Sequence, residues 1–199
     1  MVNKIGIFGN NGFAREVADI AISNGYEPVF VAEKSLVGSA GVDYFDTHHT
    51  ISETDLDKSD LKIFAIGIGD NLVRNRIYQK YKSKLMFVNL VHPSASFGFN
   101  QLQAIEKKIG VIICAGSRIT NNIKIGNFVI VNLNSTIGHD TVVDDFVNIS
   151  PGVSVSGNVL IQKFVLIGTG ASINQGSDLV KISIGENTVI GSGSVVVKS

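Results

Sequence analysis

The stretch ICAGSRITNNIKIGNFVIVNLNSTIGHDTVVDDFVNISPGVSVSGNVLIQKFVLIGTGASI, residues 113–173, places Ile or Val at every sixth position. The beats are Ile113, Ile119, Ile125, Val131, Ile137, Val143, Ile149, Val155, Ile161, Ile167 and Ile173. The beat breaks there and resumes at Ile184, Ile190 and Val196. A hexapeptide period reads as a parallel β-helix, and a repeat of fixed short period outranks local propensity in deciding a fold. β-branched residues favour short extended segments. One aliphatic residue per segment lines an inner wall, and the Gly, Asn, Asp and Ser between beats make the bends. Each segment then stacks on the one a coil earlier, at roughly 4.8 Å.

Before this stretch the pattern is different. Lys4 to Phe8 reads as a buried strand, Gly9-Asn10-Asn11-Gly12 as a tight turn, and Phe13 to Asn24 as an amphipathic helix stopped by Gly25. Val29 to Ala32 and Leu61 to Ile66 are further strands. Leu72 to Tyr81 is a second helix, and Leu85 to Leu90 a fourth strand. Strand–helix alternation implies a parallel sheet with crossover helices. Lys34 to Ser59 reads as loop, with a short strand near Asp43 to Phe45. After His92-Pro93-Ser94 the helical signals stop, and Phe97 to Gly110 reads as an irregular first coil. The expected architecture is an α/β Rossmann-like domain, residues 1–92, followed by an all-β left-handed parallel β-helix, residues 93–199.

Composition narrows the function. Seventeen basic and seventeen acidic residues leave no net charge, which argues against a nucleic-acid partner. One Cys excludes an internal disulfide framework and fits a reducing compartment, so a cytoplasmic location is expected. No leader is read at Met1, and no apolar run approaches a membrane span. No His, Cys and carboxylate cluster has metal-ligand spacing.

Two turns follow strands of the expected sheet, at Gly9–Gly12 and at Gly67–Asn71, where open α/β sheets bind ligands. The first is not the full G-x-G-x-x-G pattern, so a nucleotide site and a plain strand–helix turn both remain open. His139 is the only histidine of the repeat. It follows beat Ile137 and precedes Asp140, which could orient its imidazole for general-base work; a solvated turn histidine is the alternative. One coil later Ser156-Gly157-Asn158 offers backbone N–H groups where a ligand could approach closely. Between Ile173 and Ile184 five extra residues must leave the coil as a loop, and such insertions map to one face and often touch ligands.

Together KIGIFGNNGFAREVADIA, GDNLVRNRIYQKY, VNLVHPSAS and the hexapeptides resemble the NeuD/PglD group of sugar O-acetyltransferases and nucleotide-amino-sugar N-acetyltransferases. The resemblance implies acetyl-CoA as cosubstrate, a nucleotide-sugar acceptor, no metal, and a homotrimer with acetyl-CoA between neighbouring β-helices. It implies transfer to the C4 amine of a 4-amino-4,6-dideoxy sugar, UDP-linked. A sialic-acid-type O-acetyltransferase is the rival, and a non-catalytic sugar-binding β-helix the third reading. The group's catalytic histidine matches His139 and its following acid Asp140. Gly157 matches the thioester-oxygen donor, and Gly168 and Thr169 the CoA groove. Gly9, Asn11, Gly12 and Phe13 match the nucleotide turn, and Gly69, Asp70, Asn71 and Arg74 the second turn. Where members carry a pair of acids after the second strand, this chain has Ala32-Glu33. Where some carry a second histidine, it has Asn148.

Overall fold

The computed structural model describes residues 3–33, 50–177 and 179–199. Strands β1 (Asn3–Phe8), β2 (Tyr26–Ala32), β3 (Thr50–Ser52), β4 (Ile63–Ile66) and β5 (Met86–Phe87) form one parallel sheet in the order β3-β2-β1-β4-β5. Helices α1 (Gly12–Ser23) and α2 (Asn71–Tyr81) make the crossovers. α1 forms because Ala14, Val17, Ala18 and Ala21 fall on one face, all fully buried. α2 is started by Asp70, whose carboxylate accepts the Val73 N–H at 2.8 Å. The loop expected over Lys34 to Ser59 is corrected for its second half, which holds β3 and a 3-10 turn, Glu53–Lys58. The strand expected near Asp43 to Phe45 lies outside the described residues.

From Leu90 onward the chain winds a left-handed parallel β-helix with three flat faces, the first through Ile112–Ile113, the second through Arg118–Ile119 and the third through Lys124–Ile125. Each beat from Ile113 to Val196 is the last residue of a short strand. Between Ile112 and Ile173 strand pairs are eighteen residues apart, as in Ile113 with Val131 and Ile137 with Val155, so three hexapeptides make one coil. The first eleven beats and Ile184 are buried along the axis. A second inward row lies two residues before each beat, and the period of the beats alone does not reveal it. There Val111, Val129, Val147, Val153, Val159 and Val165 are fully buried, and so are Ser117, Ser135 and Thr141. The buried hydroxyls donate to backbone oxygens, Ser135 to Ser150 at 2.8 Å and Ser117 to Asn132 at 2.9 Å.

Two expectations at the junction are corrected. The single strand expected over Leu85 to Leu90 is divided: Met86–Phe87 ends the sheet, while Leu90–Val91 pairs with Ile112–Ile113 in the β-helix. Phe87 and Leu90 are both buried, but in different cores, while Met86 is exposed. The stretch expected to be irregular contains Ser96–Phe97, paired with Arg118–Ile119, and a short helix α3, Gln101–Glu106. α3 closes the end of the prism. Its Ile105 joins the axial core, and the Gln101 amide oxygen accepts the Ile123 N–H at 2.9 Å.

The two parts share their cores. α1 lies between the sheet and the first face of the β-helix, with Leu90, Ile112, Cys114 and Ile130 against it. Burial pushes the Cys114 thiol up to about 12, so it is an inert packing group. At the corner between the third and first faces, Phe128, Phe146 and Phe164 stack one per coil, with centroids 5.1 and 5.5 Å apart. All three adopt left-handed φ of 55–59°, a conformation bulky residues rarely take. It turns the Phe128 and Phe146 carbonyls toward Arg74.

Arg74 is fully buried and makes the joint. Its Nε donates to Phe128 O at 3.0 Å. Nη1 donates to Ile68 O and Gly69 O, both at 3.0 Å, and Nη2 to Asn71 Oδ1 and Phe146 O, both at 2.9 Å. Burial pulls the guanidinium below its ordinary range, and Asp70 opposes that shift. Replacing Arg74 by Met would leave these oxygens buried and unpaired. Arg74→Met is therefore expected to destabilise the protein by about 3 kcal/mol or more. Urea denaturation would measure this; a loss under about 1 kcal/mol would contradict the joint.

Candidate active site

The prism has three corners, and the expected site residues divide among them. His139 and Asp140 stand on the corner between the second and third faces, just after the strand Thr136–Ile137. Asp140 takes a left-handed φ of 60°. Its N–H donates to Asn121 O at 3.1 Å, one coil earlier. Its Oδ1 accepts from Asn122 Nδ2 at 2.6 Å, and its Oδ2 from His139 Nδ1 at 2.7 Å. The His139 bond, then Asn122, holds the carboxyl below the usual carboxylate range. The pair therefore persists as pH falls through that range, and breaks only when the lowered carboxyl takes up a proton. A carboxylate has no proton to give, so Nδ1 carries the hydrogen and the neutral ring keeps its lone pair on Nε2.

Nε2 lies over Gly157, one coil on. A Cβ at position 157 would overlap Nε2 and come within 2.6 Å of Cε1. Glycine there is required by the imidazole itself. The Gly157 N–H donates to no acceptor among the described residues, while the next N–H, of Asn158, is spent on His139 O at 2.7 Å. The corner opens into a cavity of about 350 Å³ lined by His139, Asp140, Asn122, Lys124, Asn158 and Lys181, among others. The expected loop after Ile173 reaches this cavity through Gln175 and Lys181.

Gly168 and Thr169 lie on a different corner, between the first and second faces. The Gly168 N–H is spent on Ile190 O at 2.8 Å, and a Cβ there would meet Ser192 N at 2.5 Å. Coil stacking explains that glycine, and the single chain does not bring it to His139.

A second cavity, about 500 Å³, opens at the C-terminal ends of β1, β2 and β4. Gly9 and Asn11 line it, with Asn10, Glu33, Glu53 and Lys80. Gly9 has φ +109° and packs closely on Gly67 and Ile68. Lys80 pairs with Glu53 at 2.5 Å, and Arg76 of the same helix also faces the cavity. These side chains come from α2 and the 3-10 turn, and no local motif marks them. Gly12 and Phe13 lie outside the lining, and Phe13 packs on the α1 core. The expectation for the second turn is corrected. Asn71 and Arg74 are buried, with Asn71 Nδ2 donating to Phe164 O at 2.9 Å, so they bind the β-helix. The Gly69 carbonyl accepts from Arg74 and from Asn148, and Asp70 caps α2.

Among the described residues no His, Cys and carboxylate cluster could hold a metal, and no helix is long and apolar enough to cross a membrane. His92 is a turn residue, its Nδ1 accepting the Ser94 N–H at 3.0 Å.

The chain thus combines a Rossmann-like domain with a left-handed β-helix that carries a histidine–aspartate pair at one corner. Residues 4–81 match the PglD N-terminal domain family. Over nearly its whole length the chain is similar to NeuD/PglD-type sugar acetyltransferases, as expected. WeeI from Acinetobacter baumannii AYE is 26% identical with a TM-score of 0.84, over 98% of this chain and 92% of that one. The acetyltransferase domain of PglB from Neisseria gonorrhoeae FA1090 is 27% identical with a TM-score of 0.84, over 99% and 92%. PerB from Caulobacter crescentus, solved with CoA and GDP-perosamine, shares the fold at 23% identity and a TM-score of 0.83, over 100% and 91%.

Gly157→Ala should push the His139 ring off Nε2's present place without unfolding the prism. The measurement is the His139 ring NMR signals beside the circular dichroism spectrum. Unmoved ring signals would contradict the stacking.

Proposed function

We propose that the chain is an acetyl-CoA-dependent N-acetyltransferase acting on the C4 amine of a nucleotide-linked 4-amino-4,6-dideoxy sugar, with UDP as carrier. The observation that carries this is the His139 corner: Nδ1 bound to a carboxylate, His139 lining a cavity, and a Gly157 N–H with no acceptor among the described residues. The PglB domain has been solved with acetyl coenzyme A, and PerB with CoA and GDP-perosamine, which supports the choice of cosubstrate and acceptor class. The crevice at Gly9 and Asn11 takes the nucleotide. α1 begins beside it, and the N-terminus of a helix suits phosphate.

The reaction joins the amine nitrogen to the thioester carbonyl carbon, and the C–S bond then breaks. His139 Nε2 takes the proton the amine loses and passes it to the departing thiolate, giving the amide and free CoA. Asp140 holds the tautomer and supports the imidazolium that forms. Gly157 N–H donates to the carbonyl oxygen as it becomes negative. Desolvation keeps the amine neutral and nucleophilic. The nucleotide crevice, His139, and Gly168 with Thr169 occupy separate parts of one chain, which favours a homotrimer with acetyl-CoA between neighbouring prisms.

The test is thiol release from acetyl-CoA across UDP-, GDP- and dTDP-4-amino sugars, with sialic acid as the hydroxyl rival. His139→Ala is expected to lower kcat about 100- to 10,000-fold while acetyl-CoA binding is kept. An unchanged rate would refute His139 as the base.

A further inference from the structure

The insertion after Ile173 returns to the His139 corner and is bonded to it. The Gly176 N–H donates to Gly157 O at 3.1 Å, so the peptide that follows the imidazole's glycine is held from outside the coil. Asn158 Nδ2 donates to Ser177 O. Gly176 is buried, and a Cβ there would overlap Asn158 O and come within 2.8 Å of Val180 O. Lys181 completes the attachment. Its ammonium donates to the Asp140 backbone oxygen, and to Asn158 Oδ1 at 2.6 Å. Among the described residues these are its two acceptors, and its side chain lines the cavity.

Asp140 is thereby held on every side. Its N–H is bound by Asn121, its carboxylate by Asn122 and His139, and its carbonyl by Lys181. The first three come from the repeat itself; the fourth comes from the insertion. Asp140 also occupies a left-handed backbone conformation that a residue with a side chain keeps only when its surroundings determine it. Lys181 thus ties the turn that carries His139 to the coil that carries Gly157, through Asp140 on one side and Asn158 on the other.

We propose that Lys181 is a positioning residue for acetyl transfer: it fixes the His139–Asp140 pair against Gly157, and the insertion exists to deliver it. The proposal deepens the acetyltransferase reading, and its kinetic arm rests on that reading. A displacement of about 1 Å in a reacting group can cost on the order of 100-fold in rate. Lys181→Met is therefore expected to lower kcat about 10- to 100-fold, with the KM for acetyl-CoA changed less than about twofold. Lys181→Arg keeps the cation and its donors and should restore most of the rate. Gly176→Ala displaces the loop while keeping the lysine, and should lose kcat in the same way. It also carries the test should Lys181→Met fail to fold.

A second arm needs no turnover. In the parent protein the Nδ1 proton of His139, assigned with His139→Gln, should give a downfield NMR resonance from its bond to Asp140. In Lys181→Met that resonance should shift or broaden. The arm reads Lys181 even where no acceptor in the sugar panel is acetylated, so failure of the acetyltransferase reading and failure of this proposal are told apart. A His139 resonance unchanged in Lys181→Met would overturn the proposal. So would a kcat within twofold of the parent, a loss carried by KM, or no recovery in Lys181→Arg.

Discussion

Everything in this chain depends on one repeat distance. Paired strands stack at roughly 4.8 Å, and a coil of eighteen residues must return to its starting corner at that height. The condition is met because each corner carries a residue with positive φ. These residues recur every sixth position from Gly110 through Gly116, Asn122, Phe128, Asn134, Asp140, Phe146, Gly152, Asn158, Phe164 and Gly170. Most are Gly or Asn, which accept that conformation cheaply. The exceptions mark where the solenoid does something besides repeat. Asp140 sits beside the catalytic candidate. The three phenylalanines form the ladder that meets α2, with Tyr78 packed on Phe128 at 4.5 Å. Position within the coil thus decides role: the inner rows make the core, and the corners make the joint and the site.

The joint resolves an electrostatic problem by hydrogen bonding alone. Arg74 is buried, and all of its acceptors in the joint are neutral oxygens, drawn from its own turn and from two coils of the prism. A guanidinium suits this because its charge is delocalised, weakly hydrated, and spread over five donors in a rigid fork. A lysine at position 74 would offer three donors to the same oxygens and leave some unpaired. The carbonyls are available because left-handed corners turn them outward, so the solenoid's geometry creates the binding site for its neighbour. Asn148 belongs to the same joint: its amide donates to Gly69 O, while its Oδ1 is the one buried side-chain polar atom without a partner among the described residues.

The β-helix was legible because its signal is periodic and its cause local: every beat found in the sequence ends a strand. His139, Asp140 and Gly157 were legible as departures from that period. Leu85 to Leu90 was misread because Phe87 and Leu90, buried in different cores, look alike when only hydrophobicity is visible. α3 was missed because Gln101–Glu106 is too short to show a helical period. Asn71 and Arg74 were read as ligand groups because a backbone-binding arginine and a ligand-binding arginine share one sequence. Only burial separates them, and burial is set by contacts more than fifty residues away. The same holds for Lys181, whose partners Asp140 and Asn158 are 41 and 23 residues distant.

The exposure of the His139 corner bears on assembly. The side chains of His139 and Asp140 are 52% and 45% exposed in the single chain. A general base with its orienting carboxylate works best where water is excluded, since each hydrogen bond at the reacting centre strengthens as the local dielectric falls. One prism supplies the pair and the glycine beneath it, but only one wall of a cleft. Flat faces and straight corners are well shaped for a second prism to lie alongside. In the homotrimer proposed above, a neighbouring prism along the His139 corner would supply the second wall and exclude water. If assembly completes the proposed site in this way, the insertion bearing Lys181 is the part of that wall which the single chain already holds in place.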